Sequence, residues 1–302
     1  MPSDPFSAPT CHEVADSVLM VASGSGTAGS SNAAVLLGDD GATVVDTLLV
    51  PSMADGIRAA IAHRGLRADL LLYTHPHADH VGGSAAFPEA RLLADPVTAD
   101  SVRRLAAEPE LLPRLFPAFA DELALAGPRV PEPIGASDRL LLVGRGEAFR
   151  TGPGHTPVDL VVHVPDAGVL VAGDLCFNQV TPLALPGHAD IGGWVAALDR
   201  LIALGPAVVV PGHGPAGGVD ILHAVRQWLT AVLDAARTAV ELGVDPRTMA
   251  AGIDVGPVSE WAEPGRIVLA LAVAAAEISG DPRYLPTGVP VASRSGPALA
   301  SS

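Results

Sequence analysis

Residues Thr74-His75-Pro76-His77-Ala78-Asp79-His80 place three imidazoles and a carboxylate within six positions. The stretch follows the apolar run Leu70-Leu71-Leu72-Tyr73, which reads as a short buried strand. The cluster therefore sits where a strand ends and a turn begins. In extended backbone, side chains alternate faces, so His75 and His77 point the same way, and Asp79 and His80 fall in the next turn, facing a second point nearby. Two imidazoles on one side and a carboxylate with an imidazole on the other suit two adjacent metal ions. Those ligand types favour two Zn²⁺ ions, with iron or manganese as alternatives. The competing reading, a polar turn that happens to be rich in histidine, gives no reason for catalytic-site ligand types to gather here.

Further candidate ligands stand beside glycine at the ends of other apolar runs. They are His155 in Gly154-His155-Thr156, Asp174 in Ala172-Gly173-Asp174, and His213 in Pro211-Gly212-His213-Gly214-Pro215. Glycine lets the backbone turn tightly at such points. Ligands at the ends of several strands can converge at one edge of a layered fold.

The pattern along the chain supplies those layers. Strands are expected at 17–22, 33–37, 42–45, 70–73, 91–93, 139–143, 147–150, 160–164, 169–172 and 208–210, with a turn at Asp40-Gly41 joining the second and third. Helices are expected at 51–63, 97–107, 111–126, 193–204, 219–242 and 265–279. Residues 23–30 form a loop of small residues. Residues 1–16 read as irregular, 17–283 as one domain including the C-terminal helices, and 284–302 as a disordered tail rich in Pro, Ser and Gly. Strands interleaved with helices in two halves suit an α/β layered domain. The two C-terminal helices either pack on that domain or form a homodimer contact.

Composition excludes several partners. The formal net charge is −15 and the chain has no lysine; this argues against nucleic acid and against an anionic membrane surface, both of which need a basic face. No apolar run is long enough for a membrane span; Ile267–Ile278 is Ala-rich but too short. The first ten residues lack a basic and an apolar region of the secretory type, so a cytoplasmic protein is expected. Two cysteines, Cys11 and Cys176, are too few for a disulfide framework.

The series His75-x-His77-x-Asp79-His80, His155, Asp174, His213 resembles the full ligand set of the metallo-β-lactamase superfamily. Asp46 stands at the place of that family's strand-end aspartate. The resemblance implies a four-layer αββα sandwich with a dinuclear zinc site at one edge. Carried over by position, His75, His77 and His155 would hold one metal, Asp79, His80 and His213 the other, and Asp174 would bridge them. A hydroxide between the ions would attack a carbonyl carbon, since zinc brings the pKa of bound water to ~7. Asp79 would orient that hydroxide or shuttle its proton. Asp46 and Thr74 would fix ligand orientation, and Asp159 would hydrogen-bond a ligand histidine.

An aspartate at 174 resembles the glyoxalase II, lactonase and thioesterase branches; β-lactamases usually carry Cys or Ser there. His77 stands where a redox di-iron branch has Glu. Stretches 154–174, 180–185, 197–201 and 263–268 are similar to actinomycete aromatic polyketide cyclase–thioesterases, which act on an acyl-carrier-protein-bound polyketide. This implies a thioesterase or cyclase with a small acyl substrate. Its alternatives are a lactonase or glyoxalase II-like hydrolase, an iron-dependent persulfide dioxygenase, and a non-catalytic metal-binding protein. The sequence Thr156-Pro157-Val158-Asp159 departs from the glycine that many superfamily members have before the aspartate. Asn32, His188 and Trp194 are candidates for contacting substrate.

Overall fold

The computed structural model describes residues 9–24, 29–135, 139–142 and 146–286. Strands β1 (Thr10–Ala15), β2 (Val18–Ala22), β3 (Asn32–Leu37), β4 (Ala42–Val45), β5 (Ala68–Leu72), β6 (Arg91–Ala94) and β7 (Glu132–Pro133) make a seven-stranded sheet in chain order. Strands β8 (Arg139–Leu141), β9 (Glu147–Arg150), β10 (Leu160–Val164), β11 (Val169–Phe177) and β12 (Val208–His213) make a five-stranded sheet in the reverse order. Neighbours β4, β5, β6 and β7 run parallel, as do β11 and β12; the other pairs are antiparallel.

The period-two alternation of apolar residues sets the layers. Val18, Met20, Ala34, Leu36, Val45, Leu72 and Leu93 of the first sheet meet Leu160, Val162, Val169, Val171 and Val210 of the second in one dry layer. Their immediate neighbours, Leu19, Val21, Val35, Val44 and Leu71, point the other way, onto Met53, Ala54, Ile57 and Ile61 of helix α1 (Pro51–His63). On the far side, Val161, Leu170 and Val209 meet helices α6 (Ile191–Ala203), α7 (Val219–Leu242) and α8 (Arg266–Ser279). The shorter helices are α2 (Ala78–Val81), α3 (Pro96–Ala106), α4 (Leu111–Leu115) and α5 (Ala120–Leu125). The order is the αββα sandwich expected, and the C-terminal helices pack on the sandwich through Trp228, Leu229, Leu271 and Ala274. Among the described residues no helix is long and apolar enough to cross a membrane.

Four details differ from the sequence reading. Residues 10–15, expected to be irregular, form β1 along the edge of the first sheet; the strand is exposed over most of its length, so it carries little apolar alternation. The expected helix over 111–126 is broken after Leu115, because Pro117 excludes helical backbone at Phe116 (φ −125°, ψ 69°). Strands β11 and β12 continue through Asp174 and His213, so these residues lie within strands and not beyond them. Tyr284 and Leu285, expected in the tail, pack against the helical face. Residues 287–302, Val143 and positions 25–28 of the small-residue loop lie outside the described residues.

The parallel pairs bring the C-terminal ends of β4, β5, β11 and β12 to one edge, together with the loop from β9 to β10. The two sheets are joined there by the Leu160 amide donating to the Thr74 carbonyl at 2.9 Å. The turns after β4 and β5 are in backbone contact: Thr47 N–H donates to His80 O at 2.7 Å and Gly83 N–H to Leu48 O at 3.0 Å. A Cβ on Gly82 would lie 1.9 Å from Leu49 O, and one on Gly83 2.0 Å from Thr47 O. These glycines close the histidine turn against its neighbour.

Gly82→Ala is expected to lower unfolding free energy by about 3 kcal/mol or more, since backbone must shift. Gly65→Ala is the control, with a left-handed φ of 70° and open space around it; its cost is about 1–2 kcal/mol. Urea unfolding of both variants checks the order, and an equal loss would contradict the contact argument.

Candidate metal centre

Asp46 organises the edge from behind. It is buried, sits just past β4 in left-handed backbone (φ 63°), and accepts three hydrogen bonds. Thr74 N–H donates to Oδ1 at 2.8 Å, the Thr74 hydroxyl to Oδ2 at 2.7 Å, and His80 Nδ1–H to Oδ2 at 2.9 Å. With its hydrogen on Asp46, Thr74 Oγ1 accepts from His75 Nδ1–H at 2.9 Å. His213 Nδ1–H donates to the Ser30 carbonyl at 2.8 Å. Each of these three rings thereby carries a proton on Nδ1, which leaves the Nε2 lone pair facing forward.

Those lone pairs converge on Asp174. Its Oδ1 lies 3.1 Å from His80 Nε2, and its Oδ2 lies 3.2 Å from His155 Nε2, 3.2 Å from His213 Nε2 and 3.8 Å from His75 Nε2. His77 Nδ1 is 2.9 Å from His155 Nε2, and Asp79 Oδ2 is 3.6 Å from His213 Nε2. His75, His77, His155 and Asp174 form one group of donors, and Asp79, His80 and His213 another. Asp46 with His75 and His80 makes a third close group, but its oxygens are already engaged from behind. β12 passes so near that a Cβ on Gly212 would lie 1.9 Å from Asp174 Oδ1, so the glycine before His213 is required by close approach.

The donor set fits metal ions by a direct test. His75 Nε2, His80 Nε2 and Asp174 Oδ1 are buried with no hydrogen-bond partner. Leaving such atoms unpaired costs about 1–3 kcal/mol each. Their orientation is what ligands need: the forward atom bare, the rear nitrogen anchored.

Electrostatics divides the imidazoles. Burial and the neighbouring His80 hold His75 well below the ordinary histidine range, and loss of solvation with His155 nearby does the same for His77. Burial lowers His155 to about 4. Burial also opposes charge on His80 and His213, but the Asp174 carboxylate outweighs it in both, aided by Asp46 and Asp79 respectively, so both are raised. Asp174 itself is buried, and the facing imidazoles of His213, His80, His155 and His75 nevertheless hold it well below the carboxylate range.

The structure thus brings together all seven candidate ligands with Asp46 and Thr74. Four other candidates take different places. Asp159 touches no ligand ring; it accepts from Thr156 N–H at 3.0 Å and from the Thr156 hydroxyl at 2.7 Å, so it shapes the loop behind His155, and burial raises its carboxyl to about 7. Asn32 does not reach a pocket, because its amide donates to Pro211 O at 2.9 Å and Gly214 O at 2.7 Å, fixing the His213 turn. Trp194 is fully buried, with Nε1–H on Leu175 O at 2.9 Å and its ring 5.2 Å from that of His155; it packs the ligand from behind. His188 stands beside the cluster, with Nδ1 3.0 Å from His77 Nε2. Cys176 is a buried residue of β11, and its thiol is pushed up by burial.

Three supporting contacts lie outside the candidates. Ser30 serves His213 through its carbonyl, the Thr47 hydroxyl donates to His80 O at 3.1 Å, and Phe177 stacks on His213 at 5.0 Å. Backbone carbonyls carry no sequence signal. Phe177 lies three residues past Asp174 on β11, where extending the strand beyond Ala172 would have found it.

Known proteins resemble this chain in sequence and fold. Residues 26–213 match the family model of the metallo-beta-lactamase superfamily. A 145-residue stretch is 36% identical to the hydroxyacylglutathione hydrolase of Cereibacter sphaeroides, covering 48% of this chain and 48% of that one. An 84-residue stretch is 32% identical to the metallo-beta-lactamase type 2 of Bacteroides fragilis, covering 27% of this chain and 34% of that one. The chain thus spans a third to a half of the length of these relatives. The structure of a metallo-beta-lactamase from Pontibacter korlensis superposes with a TM-score of 0.58 at 23% identity, over 72% of this chain and 99% of that one, a likeness of fold. By the match across most of its sandwich and its strand-end histidines, the chain belongs to the metallo-beta-lactamase superfamily.

Proposed function

We propose that the chain is a dinuclear zinc hydrolase that cleaves an acyl thioester. The observation that carries this reading is Asp174, whose two oxygens lie between the two groups of donors, 3.1 Å from His80 and 3.2 Å from His155. A single carboxylate so placed would serve both ions. His75, His77 and His155 would hold one zinc, Asp79, His80 and His213 the other, and Asp174 both. Bound there, the ions would supply a nucleophile from water at neutral pH and a Lewis acid for the carbonyl oxygen.

The protein's own groups have separate tasks. The Asp46–Thr74 pair holds His75 and His80 in the tautomer that presents Nε2. Ser30 does the same for His213. Trp194 and Phe177 exclude water from behind His155 and His213. Asp79 is the least enclosed of the carboxylates that face the cluster, with 15% of its side chain exposed. Its Oδ2 is placed to take the proton of an attacking water and pass it outward. The products are a carboxylic acid and a thiol, and the thiolate leaves without needing a proton donor.

Thioester cleavage is favoured over β-lactam opening by the carboxylate at 174 and by the hydroxyacylglutathione hydrolase relatives. Within thioesters, an aromatic acyl or polyketide chain on a carrier protein is the narrower substrate class suggested by the resemblance around residues 154–174 and 263–268. Lactones, and persulfides with iron as the metal, are the alternatives that an activity and metal survey separates.

Zinc-loaded protein is expected to release thiol from an aromatic acyl N-acetylcysteamine thioester, followed with a thiol-reactive dye. The His77→Ala variant should fall to the uncatalysed rate. Wild-type protein with two zinc ions and no thiol release would overturn the thioester assignment.

Zinc binding should also displace protons. In the metal-free chain the Asp174 and Asp46 carboxylates hold His80 well above the ordinary histidine range and Asp174 and Asp79 raise His213, so both favour a second proton, on Nε2, that a metal must displace, since an imidazole ligates only when neutral. Zinc affinity should therefore fall as pH is lowered. Near pH 7, loading should release protons into the buffer. Calorimetry in two buffers of different ionisation enthalpy measures this, and buffer-independent heats would contradict it.

A further inference from the structure

We propose that His188 is a positioning residue for His77, a half-buried histidine of the cluster whose rear nitrogen is anchored from a distant loop and not from its own sheet. The inference rests on the metal reading above.

His75, His80 and His213 are backed by Thr74, Asp46 and Ser30. His77 is different. It is the residue that opens the one-turn helix α2, it is only half-buried, and its outer nitrogen meets an imidazole where the others meet a hydroxyl, a carboxylate or a carbonyl. Its Nδ1 faces His155 Nε2 at 2.9 Å, on the cluster side. Its Nε2 meets His188 Nδ1 at 3.0 Å, from 111 residues away in the chain. The two rings lie nearly parallel, at 15° with centroids 5.2 Å apart.

Proton placement follows. If Nδ1 of His77 is to present a lone pair to a metal, the ring proton sits on Nε2 and must be donated outward. The acceptor is His188 Nδ1, so His188 carries its own proton on Nε2. His188 thus does for His77 what a carboxylate or carbonyl does for a typical ligating histidine.

The loop bearing His188 is built to hold it still. His188 and Ala189 both donate their amides to Leu185 O, at 3.1 and 2.9 Å. Asp190 N–H donates to Gly154 O at 2.9 Å, which ties the loop to the residue before His155. The Asp190 carboxylate caps α6 through Gly193 N–H at 2.7 Å. Glu277 of α8 accepts from Ile191 and Gly192 at 2.9 and 3.1 Å. The imidazole is therefore fixed relative to His155 and to the C-terminal helix together.

The test is zinc titration of the full chain against a chromophoric chelator, with two variants. His188→Phe keeps a ring and removes the acceptor; His188→Asn puts a carbonyl oxygen where Nδ1 stood. The expected result is one of two zinc equivalents bound about 10–100-fold more weakly in His188→Phe, with His188→Asn restoring affinity to within about threefold of wild type. Thermal melts of the zinc-free proteins should coincide, because His188 is only half-buried and its ring contacts are with His77. Two cases overturn the inference alone: His188→Phe binding like wild type, or His188→Asn as weak as His188→Phe, which would make the ring's packing the cause. Wild-type chain that takes up no zinc would instead remove the metal reading on which the inference stands.

Discussion

A carboxylate buried among four imidazoles governs the rest of this structure. Removing Asp174 from water is costly unless opposite charge or a metal compensates. The chain supplies the compensation from three separate segments: His75 and His80 after β5, His155 between β9 and β10, and His213 at the end of β12. No two of those segments are sequence neighbours. The fold has to bring them within about 4 Å of one atom group, and that demand explains why the edge is so heavily cross-linked by backbone contacts. Thr47 to His80, Gly83 to Leu48, Leu160 to Thr74 and Asn178 to His213 are all bonds between such segments.

The layering and the site are one problem. A parallel pair places the C-terminal ends of both strands at the same edge, and each sheet contributes such a pair: β4 with β5 and β11 with β12. Stacking the two sheets through Val45, Leu72, Val171 and Val210 sets those ends opposite each other. The apolar alternation that buries the layer thus also fixes which residues reach the metal edge. A one-residue slip in β11 would turn Asp174 away and exchange Val171 with Ala172 in the core. Core packing and ligand geometry therefore resist the same errors.

Much of this was legible in the sequence because it rests on local chemistry. The histidine turn, the three distant ligands, Asp46 and most strands follow from period-two apolar runs that end in glycine or a polar ligand. What was not legible depends on partners far away in the chain. Asp159 sits four residues past His155 and reads as a ring partner, yet its oxygens turn to Thr156. Asn32 reads as a pocket residue, yet the sheet-to-sheet contact aims its amide at the His213 turn. Trp194 reads as a pocket wall, and burial against His155 makes it a support. Ser30 acts through a carbonyl that every residue possesses. β1 was missed because an exposed edge strand has no buried face to impose a pattern.

The supporting groups also differ in how they constrain evolution of the site. Thr74 and Asp46 act on two histidines at once, and their side-chain atoms are fully committed: Thr74 gives its hydrogen to Asp46 and accepts from His75, while Asp46 takes three donors. Ser30 supports His213 through its carbonyl, so the backbone path matters there. His77 is tied to a loop that also joins α6 and α8, outside the paired sheets. The rear of the cluster is therefore rigid where the sheets hold it and adjustable where loops do. Loops are also where substrate selectivity is set in a rigid scaffold. A change in the 185–190 loop would consequently alter the support of His77 while leaving the sheet-held donors in place.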